Sequence, residues 1–346
     1  MKELRQTAAT ALYMSWFVTL CLVSICSPVL ARDEQGALGI LRLPNEGRPA
    51  VALAGDSFPV EAWEQGELQL VGESGSVPLA VRWEQDTSRP ASGIARLPAQ
   101  SAPGWYALRL QGSKGTDETP HAVHIAEEWK DYYAFGLIAA TEARPLNPAN
   151  LAESLAALAE SDVRAASLQG LAIAADDPIA LQRVLDLLRI CPIPVFVGGA
   201  AEGSGSLALT RHFGPSAFVF TYGEDAYYSL APLAWAAEDS VGMEPGNLHR
   251  QRRAHRRCRW SAAICAGSAG QMGIRNSTIL FVDDPVDYVL CVLPSIPEVE
   301  TPIRARQGRS MIYQLPPAVE RGIHVIDVTP AKGLLLRAPS EPPAAP

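Results

Sequence analysis

The residues best placed to do chemistry in this sequence follow short apolar runs. Residues 194–197 form one such run, and residues 199–202 after it read Gly-Ala-Ala-Glu. In α/β proteins, ligand-binding side chains stand on the loops that follow the carboxyl ends of strands. This loop has such a position but offers only Glu202, because an alanine methyl cannot bind a metal ion or hydrogen-bond a phosphate.

Four carboxylates on expected loops could form a metal site of another kind. Oxygen ligands suit Ca²⁺ or Mg²⁺ rather than Zn²⁺. An aspartate before a proline is also typical of a helix N-cap, and this interpretation is favoured for the Asp-Asp-Pro run. The four residues are Glu142, Asp176, Asp177 and Glu202.

Ser268 lies in a loop of small residues after another apolar run, which resembles a loose nucleophile elbow. Asp287 and His324 follow it in the chain order Ser, Asp, His. The residues directly after Ser268 do not have the pattern of the helix that an elbow requires. A flexible glycine-rich loop is therefore favoured, and a hydrolase based on Ser268 is an alternative.

Residues 248–259 concentrate six arginines in an expected helix, although the chain as a whole carries a net charge of −8. Such a patch could hold an anionic polymer, a lipid headgroup or an acidic partner. No aromatic residue interleaves with it, and the acidic chain argues against nucleic-acid binding. A solvated helix face is the favoured alternative. The patch is Arg250, Arg252, Arg253, Arg256, Arg257 and Arg259.

Four cysteines follow residue 31: Cys191, Cys258, Cys265 and Cys291. Cys265 and Cys291 each lie in an apolar run typical of a central strand, so they could be neighbours. An oxidising compartment would permit a disulfide, whereas small buried thiols are the favoured alternative. No Cys-x-x-Cys pair is present, and the sequence gives no support to a thiolate metal site.

Two segments of the chain, with different patterns of secondary structure, must position these residues. Residues 33–127 have alternating apolar positions between Gly, Pro and Ser clusters, which predicts a small immunoglobulin-like β-sandwich. His121 and His124 are three residues apart in an expected strand, so we expect them on opposite faces, at the surface or the core edge.

From Tyr132 onward the pattern alternates between strands and helices, which predicts a largely parallel, buried sheet. Asn147 and Asp177, each before a proline, predict the starts of two helices. The expected strands are 135–140, 163–168, 194–197, 217–222, 226–230, 260–265, 279–282 and 286–292, with further short strands in 308–337.

The predicted organisation has four parts. Residues 1–31 have the pattern of a secretory signal, with an uncleaved membrane anchor as the alternative. A β-sandwich at 32–128, an α/β domain at 129–337 and a disordered Pro/Ala-rich tail at 338–346 follow. We therefore expect an exported protein, periplasmic or extracellular, with no membrane span after signal cleavage.

Residues 133–296 resemble the calcineurin-like metallophosphoesterases in the order and spacing of strands and loops. The run 213–223 also resembles the hairpin of that family. The resemblance implies an α/β sandwich in which five strand-end loops supply Asp, His and Asn ligands to two metal ions. In the family these ions activate water for phosphoester hydrolysis.

At those five loops this chain has lost nearly every ligand type. The corresponding residues are Ala140 and Glu142, Gly170, Ala200 and Ala201, Ala266, and Leu293 and Ser295. The sequence therefore predicts no metal and no cofactor. It predicts a non-catalytic pseudoenzyme that binds an unknown protein or an anionic ligand. A hydrolase with a relocated site, or a purely structural envelope protein, is the alternative.

Overall fold

The structure is a computed structural model in which the chain divides into two units, Met1–Ile40 and Leu41–Pro346. The strands and helices of the described residues all lie in the second unit. The predicted domain boundaries, 32–128 and 129–337, remain a prediction. The described residues are 40–84, 90–113, 115–141, 144–171, 173, 177–198, 212–214, 218–230, 258–266, 285–292, 303–315 and 322–337.

In the first part of the second unit, residues 41–125, the described elements are all strands, as the alternating pattern predicts. They form one sheet in the order β1-β3-β6-β5-β4-β7-β8-β2. β5 pairs with β4 through its first half and with β6 through its second half, so the sheet curls at this strand. The immunoglobulin-like topology stays a prediction. The strands are β1 (Leu41–Leu43), β2 (Ala50–Ala52), β3 (Ser57–Ala62), β4 (Glu67–Gly72), β5 (Gly75–Trp83), β6 (Ala91–Arg96), β7 (Gly104–Gly112) and β8 (Gly115–Ile125).

The expectation that His121 and His124 lie on opposite faces is wrong. Both imidazole rings contact the Trp105 ring, each with its centroid 4.8 Å from that of the tryptophan. The cause is an irregularity in the β7–β8 pairing, where the register shifts between Tyr106 and Leu108, and His121 has a φ of 49°. A bulge of this kind re-aims side chains, so a two-residue period no longer applies.

The second part begins with a strand–helix–strand–helix–strand series, as predicted. Its strands β9, β10 and β11 are parallel neighbours, and two antiparallel strands complete a sheet in the order β11-β10-β9-β18-β19. The elements are β9 (Tyr133–Ala139), α1 (Pro148–Ala159), β10 (Val163–Gln169), α2 (Pro178–Ile190), β11 (Val195–Val197), β18 (Ile323–Thr329) and β19 (Gly333–Leu336).

The starts of the two helices follow from their capping residues. The Asn147 side chain accepts a hydrogen bond from the Asn150 amide, and Asp177 accepts one from the Ala180 amide. In each helix a proline occupies the first turn, where no amide hydrogen is needed. Both cap predictions are confirmed.

The second part of the unit contains another sheet besides the one with β9, β10 and β11. Its order is β12-β13-β14-β15-β17-β16, in which β13, β14, β15 and β17 are parallel. Most of the expected strands are present, whereas residues 279–282 lie outside the described residues. The strands are β12 (Phe218–Tyr222), β13 (Asp225–Leu230), β14 (Ser261–Ala266), β15 (Tyr288–Val292), β16 (Ile303–Gln307) and β17 (Ser310–Leu315).

The two sheets pack against each other through aromatic side chains. The Phe135 and Tyr227 rings stack with centroids 4.5 Å apart, and those of Phe196 and Phe220 stack at 3.9 Å. Helices α1 and α2 cover the other face of the sheet that contains β9, β10 and β11. The described chain is thus mostly β with two helices, a coarser result than the predicted α/β sandwich. In this part of the chain no helix is long and apolar enough to cross a membrane.

Candidate functional site

The candidate site is the edge at which the parallel strands of both sheets end. β9, β10 and β11 are followed there by Ala140, Gly170 and Gly198. β13 ends at the same edge, because Gln169 at the end of β10 contacts Ser229 near the end of β13. We call this region the carboxyl edge. Open α/β sheets bind ligands at such an edge.

A neutral hydrogen-bond network occupies the interior of the carboxyl edge. The Gln169 amide nitrogen donates to Ser167 Oγ at 2.8 Å and to Ser229 Oγ at 3.0 Å, and all three side chains are fully buried. Hydrogen-bonded neutral groups are buried at little net cost. Within the described ranges, no three His, Cys, Asp or Glu side chains are grouped so as to hold a metal ion.

Gly170, at the position where the resembled family has its bridging aspartate, has a backbone that favours glycine. Its φ is +76°, in the region that side-chain-bearing residues rarely adopt. A Cβ placed there would lie 2.9 Å from the Ala140 Cβ. An aspartate at this position would therefore be strained.

Gly198 follows β11 at the carboxyl edge, where it packs against Gln169. Its amide donates to the Leu168 carbonyl oxygen at 2.7 Å, and a Cβ at this position would clash with the Gln169 amide. Gln169 therefore fills the space that a side chain at position 198 would occupy.

The structure brings two of the predicted ligand positions together, Ala140 and Gly170. Ala266 ends β14, where its backbone pairs with Val292 of β15. The other predicted positions, Glu142, Ala200, Ala201, Leu293 and Ser295, lie outside the described residues.

The carboxylate alternative has one described member, Asp177. Its Oδ1 accepts a hydrogen bond from the Ala180 amide at 2.9 Å as the N-cap of α2, which confirms the favoured interpretation. Glu142, Asp176 and Glu202 lie outside the described residues.

The serine-hydrolase alternative requires Asp287 to orient His324, and the structure does not place these two residues together. Asp287 precedes β15 and accepts hydrogen bonds from the amide and the hydroxyl of Ser261, at 2.9 and 2.8 Å. His324 lies in the other sheet, opposite Leu137 near the end of β9. Since β14 and β15 are parallel, Asp287 stands where these strands begin. Ser268 lies outside the described residues.

Arg259 must be removed from the predicted anion-binding patch. Its Nε and Nη2 donate to Asp225 at 3.1 and 2.6 Å, and its Nη1 donates to the Asp131 carbonyl oxygen at 2.8 Å. The hydrogen bonds to Asp225 raise the pKa of Arg259 above its ordinary value. The other five arginines of the patch lie outside the described residues.

Cys265 and Cys291 are neighbours, as the sequence allowed, and both are free buried cysteines, as the favoured interpretation has it. They are paired residues of β14 and β15, both buried, with their sulfur atoms 3.3 Å apart. The hydrogen bond to Cys291, together with burial, raises the pKa of the Cys265 thiol well above its ordinary value. Cys265 is therefore a thiol rather than a thiolate.

Sequence analysis missed Arg48, which lies between β1 and β2 in the all-β part of the chain. Its side chain is buried, and its Nε donates to the carbonyl oxygen of Val197, the last residue of β11, at 3.2 Å. Burial lowers the pKa of Arg48 to about 9. No local pattern marks this residue, because Arg48 and Val197 are 149 positions apart in the chain.

Comparison with known proteins gives weak structural similarities, two of which follow. No family model matches the chain, and no curated protein matches it. A purple acid phosphatase from yellow lupin (Lupinus luteus) seeds is 11% identical, with 84% of this chain and 73% of that chain covered and a TM-score of 0.45. PhoD is 7% identical, with 87% and 88% covered and a TM-score of 0.39. Both TM-scores are below 0.5, so neither similarity establishes a fold or an activity for this chain.

Proposed function

We propose that this chain is a non-catalytic binding protein with a metallophosphoesterase-like arrangement of strands and without the two metal ions of that family. The observation that carries the proposal is the buried network of Gln169, Ser167 and Ser229 at the carboxyl edge. The three side chains are neutral and linked by hydrogen bonds, and they occupy the interior where a dinuclear site would need anionic ligands.

The neighbouring positions support the same proposal. Ala140 offers no ligand atom, and Gly170 has a backbone conformation in which an aspartate would be strained. Two adjacent divalent cations repel each other strongly unless carboxylates surround and bridge them. Loss of groups that merely orient ligands already costs on the order of 10–100-fold in metal affinity. Replacement of the ligands themselves should cost more.

The function left to such a chain is binding of a ligand or partner, which we expect to be anionic. Five arginines of the predicted patch, Arg250, Arg252, Arg253, Arg256 and Arg257, remain candidates for this role. Export of the protein also remains a prediction. The proposal about the carboxyl edge depends neither on the arginine patch nor on export.

Metal content and turnover test the proposal together. The protein is purified without chelators, its bound metals are measured by inductively coupled plasma mass spectrometry, and hydrolysis of p-nitrophenyl phosphate and bis(p-nitrophenyl) phosphate is followed. We expect well under one tightly bound transition-metal ion per chain and no turnover above a mock purification. Two retained ions per chain, with turnover that a chelator abolishes, would contradict the proposal.

A further inference from the structure

A loop of the all-β part lies along the free edge of β11. The Val197 amide donates to the Gly47 carbonyl oxygen at 2.7 Å, and Arg48 Nε donates to the Val197 carbonyl oxygen at 3.2 Å. Asn45 braces this loop, since its side-chain nitrogen donates to the carbonyl oxygens of Arg42 and His212, at 3.0 Å each. The Arg48 guanidinium is therefore held in a fixed position at the end of β11.

This guanidinium is buried without a paired carboxylate among the described residues. Arg48 is 6% exposed, and its Nη1 is fully buried with no hydrogen-bond partner among the described residues. The Phe218 ring lies 3.8 Å from Cζ and offsets part of the cost of burying the charge. A buried ion without a paired charge remains costly, because burial removes its hydration.

Two partly buried arginines of the described chain, Arg259 and Arg337, do have paired carboxylates. Arg259 is paired with Asp225, and Arg337 is paired with both Asp327 and Asp162. Arg48 has no such carboxylate within the described ranges, and Arg42, a like charge, acts on it more strongly than the favourable charge of Glu61. The unpaired state is therefore specific to this position.

Gly214 lies close to the unpaired nitrogen. Gly214 has a φ of +85°, and a Cβ added there would lie 3.0 Å from Arg48 Nη1. A glycine at this point leaves the Nη1 side of the guanidinium clear of side-chain atoms from residue 214. The guanidinium thus has a fixed nitrogen, Nε, and a buried nitrogen without a hydrogen-bond partner, Nη1.

We infer that Arg48 binds an oxyanion, the phosphate or carboxylate group of a ligand or partner, at the end of β11. The planar fork of a guanidinium matches both groups and binds them through charge-assisted hydrogen bonds. The position is also the one at which open α/β sheets bind ligands. The inference rests on the proposed function, because at an edge without metal ions an arginine must supply the positive charge that an anion needs.

Thermal unfolding of the purified protein tests the inference, with inorganic phosphate and acetate as the two probes. Each is compared with sodium chloride at equal ionic strength, so that general salt effects cancel. We expect at least one of the two anions to raise Tm by at least about 2 °C at saturating concentration, since a ligand that binds only the folded state stabilises it. Phosphate alone would indicate a phosphate-bearing ligand, and acetate alone a carboxylate-bearing one.

The matched variants are Arg48→Met, which removes the charge, and Arg82→Met, which removes an exposed arginine of β5. We expect Arg48→Met to lose the anion-dependent rise in Tm and Arg82→Met to keep it. An equal rise in Arg48→Met and the wild type, or no rise with either anion in the wild type, would overturn the inference.

A second variant covers the case in which Arg48→Met does not fold. Arg48→Lys keeps a positive charge and loses the fork, so we expect it to bind the anion about tenfold more weakly. Line broadening of the phosphate ³¹P signal, or of the acetate methyl signal, measures this binding directly. Equal affinity in Arg48→Lys and the wild type would overturn the inference. Metal-dependent turnover would instead contradict the proposed function alone and leave the dependence on Arg48 intact.

Discussion

At the amino ends of the parallel strands, buried charge is compensated completely. Asp225, only 1% exposed, accepts hydrogen bonds from two nitrogens of Arg259, from the Tyr133 hydroxyl at 2.8 Å and from the Trp260 amide at 3.1 Å. Burial and the nearby Tyr227 and Asp225 raise the pKa of Tyr133 well above its ordinary value, so its hydroxyl remains a donor. Arg337, with Asp327 and Asp162, repeats the pattern at this amino edge.

The carboxyl edge is organised in the opposite way. Its interior polar groups, Gln169, Ser167 and Ser229, are neutral, and its buried cation, Arg48, has no paired carboxylate among the described residues. A satisfied ion-pair network needs no further ligand, whereas an isolated buried cation is stabilised by any anion that reaches it. The two edges therefore differ in charge pairing: the amino edge pairs its buried carboxylates with arginines, whereas the carboxyl edge leaves Arg48 unpaired among the described residues.

The largest expected effect is at the amino edge, where Asp225→Asn would remove the buried carboxylate that pairs with Arg259. We expect this variant to lose about 3 kcal/mol of unfolding free energy, measured by urea denaturation. The control is Asp131→Asn, since Asp131 is 92% exposed and lies 3.6 Å from the same arginine. The control should cost less than about 1 kcal/mol. Equal losses would mean that the amino edge is not the compensated network described above.

A smaller loss is expected at the carboxyl edge. Gln169→Ala removes the amide that Ser167 and Ser229 share and leaves both hydroxyls buried, so we expect a loss of about 2 kcal/mol. The matched control is Gln182→Ala, because the Gln182 amide nitrogen donates a hydrogen bond to Asp186 on the exposed surface of α2. This control should cost less than about 0.5 kcal/mol. The same urea titration measures both, and a negligible cost for Gln169→Ala would show that the network does not stabilise this edge.

The smallest expected effect is in the alkylation rates of cysteines, which measure how well the carboxyl edge excludes solvent. Cys265 and Cys291 lie one residue before the ends of β14 and β15, both fully buried, whereas Cys258 is partly exposed. In native protein treated with iodoacetamide, we expect Cys258 to be alkylated at least about tenfold faster than the strand pair, because a buried thiol reacts only after local opening. Peptide mass spectrometry gives the rates, with urea-unfolded protein as the reference. Comparable native rates would mean that the strand ends open readily to solvent.

Short-range sequence signals, such as helix caps and apolar runs, explain most of the helices and strands that could be predicted. The helices that begin after Asn147 and Asp177 were predictable because a cap and a following proline act within a few residues. The strands β9, β10 and β11 were predictable because strands buried on both faces are continuous apolar runs. The adjacency of Cys265 and Cys291 followed from the same pattern.

Other features depended on pairings that no local pattern contains. His121 and His124 meet at Trp105 because β8 bulges against β7, and the period of a regular strand cannot reveal a bulge. Arg259 was expected in a solvent-facing patch because it follows a run of arginines. Its true partner, Asp225, is 34 residues away and stands beside it only because β13 and β14 are parallel neighbours.

The sequence by itself determined that the strand-end loops carry alanine and glycine, Ala140 and Gly170 among them, where a metal centre would need carboxylates and imidazoles. That conclusion needs only residue types, since a missing ligand atom is missing in any conformation. Tertiary structure alone decided what stands in their place: the buried Gln169 network and the unpaired Arg48 brought in from the all-β part. Burial and charge pairing are properties of contacts between distant segments, so only the folded chain defines them.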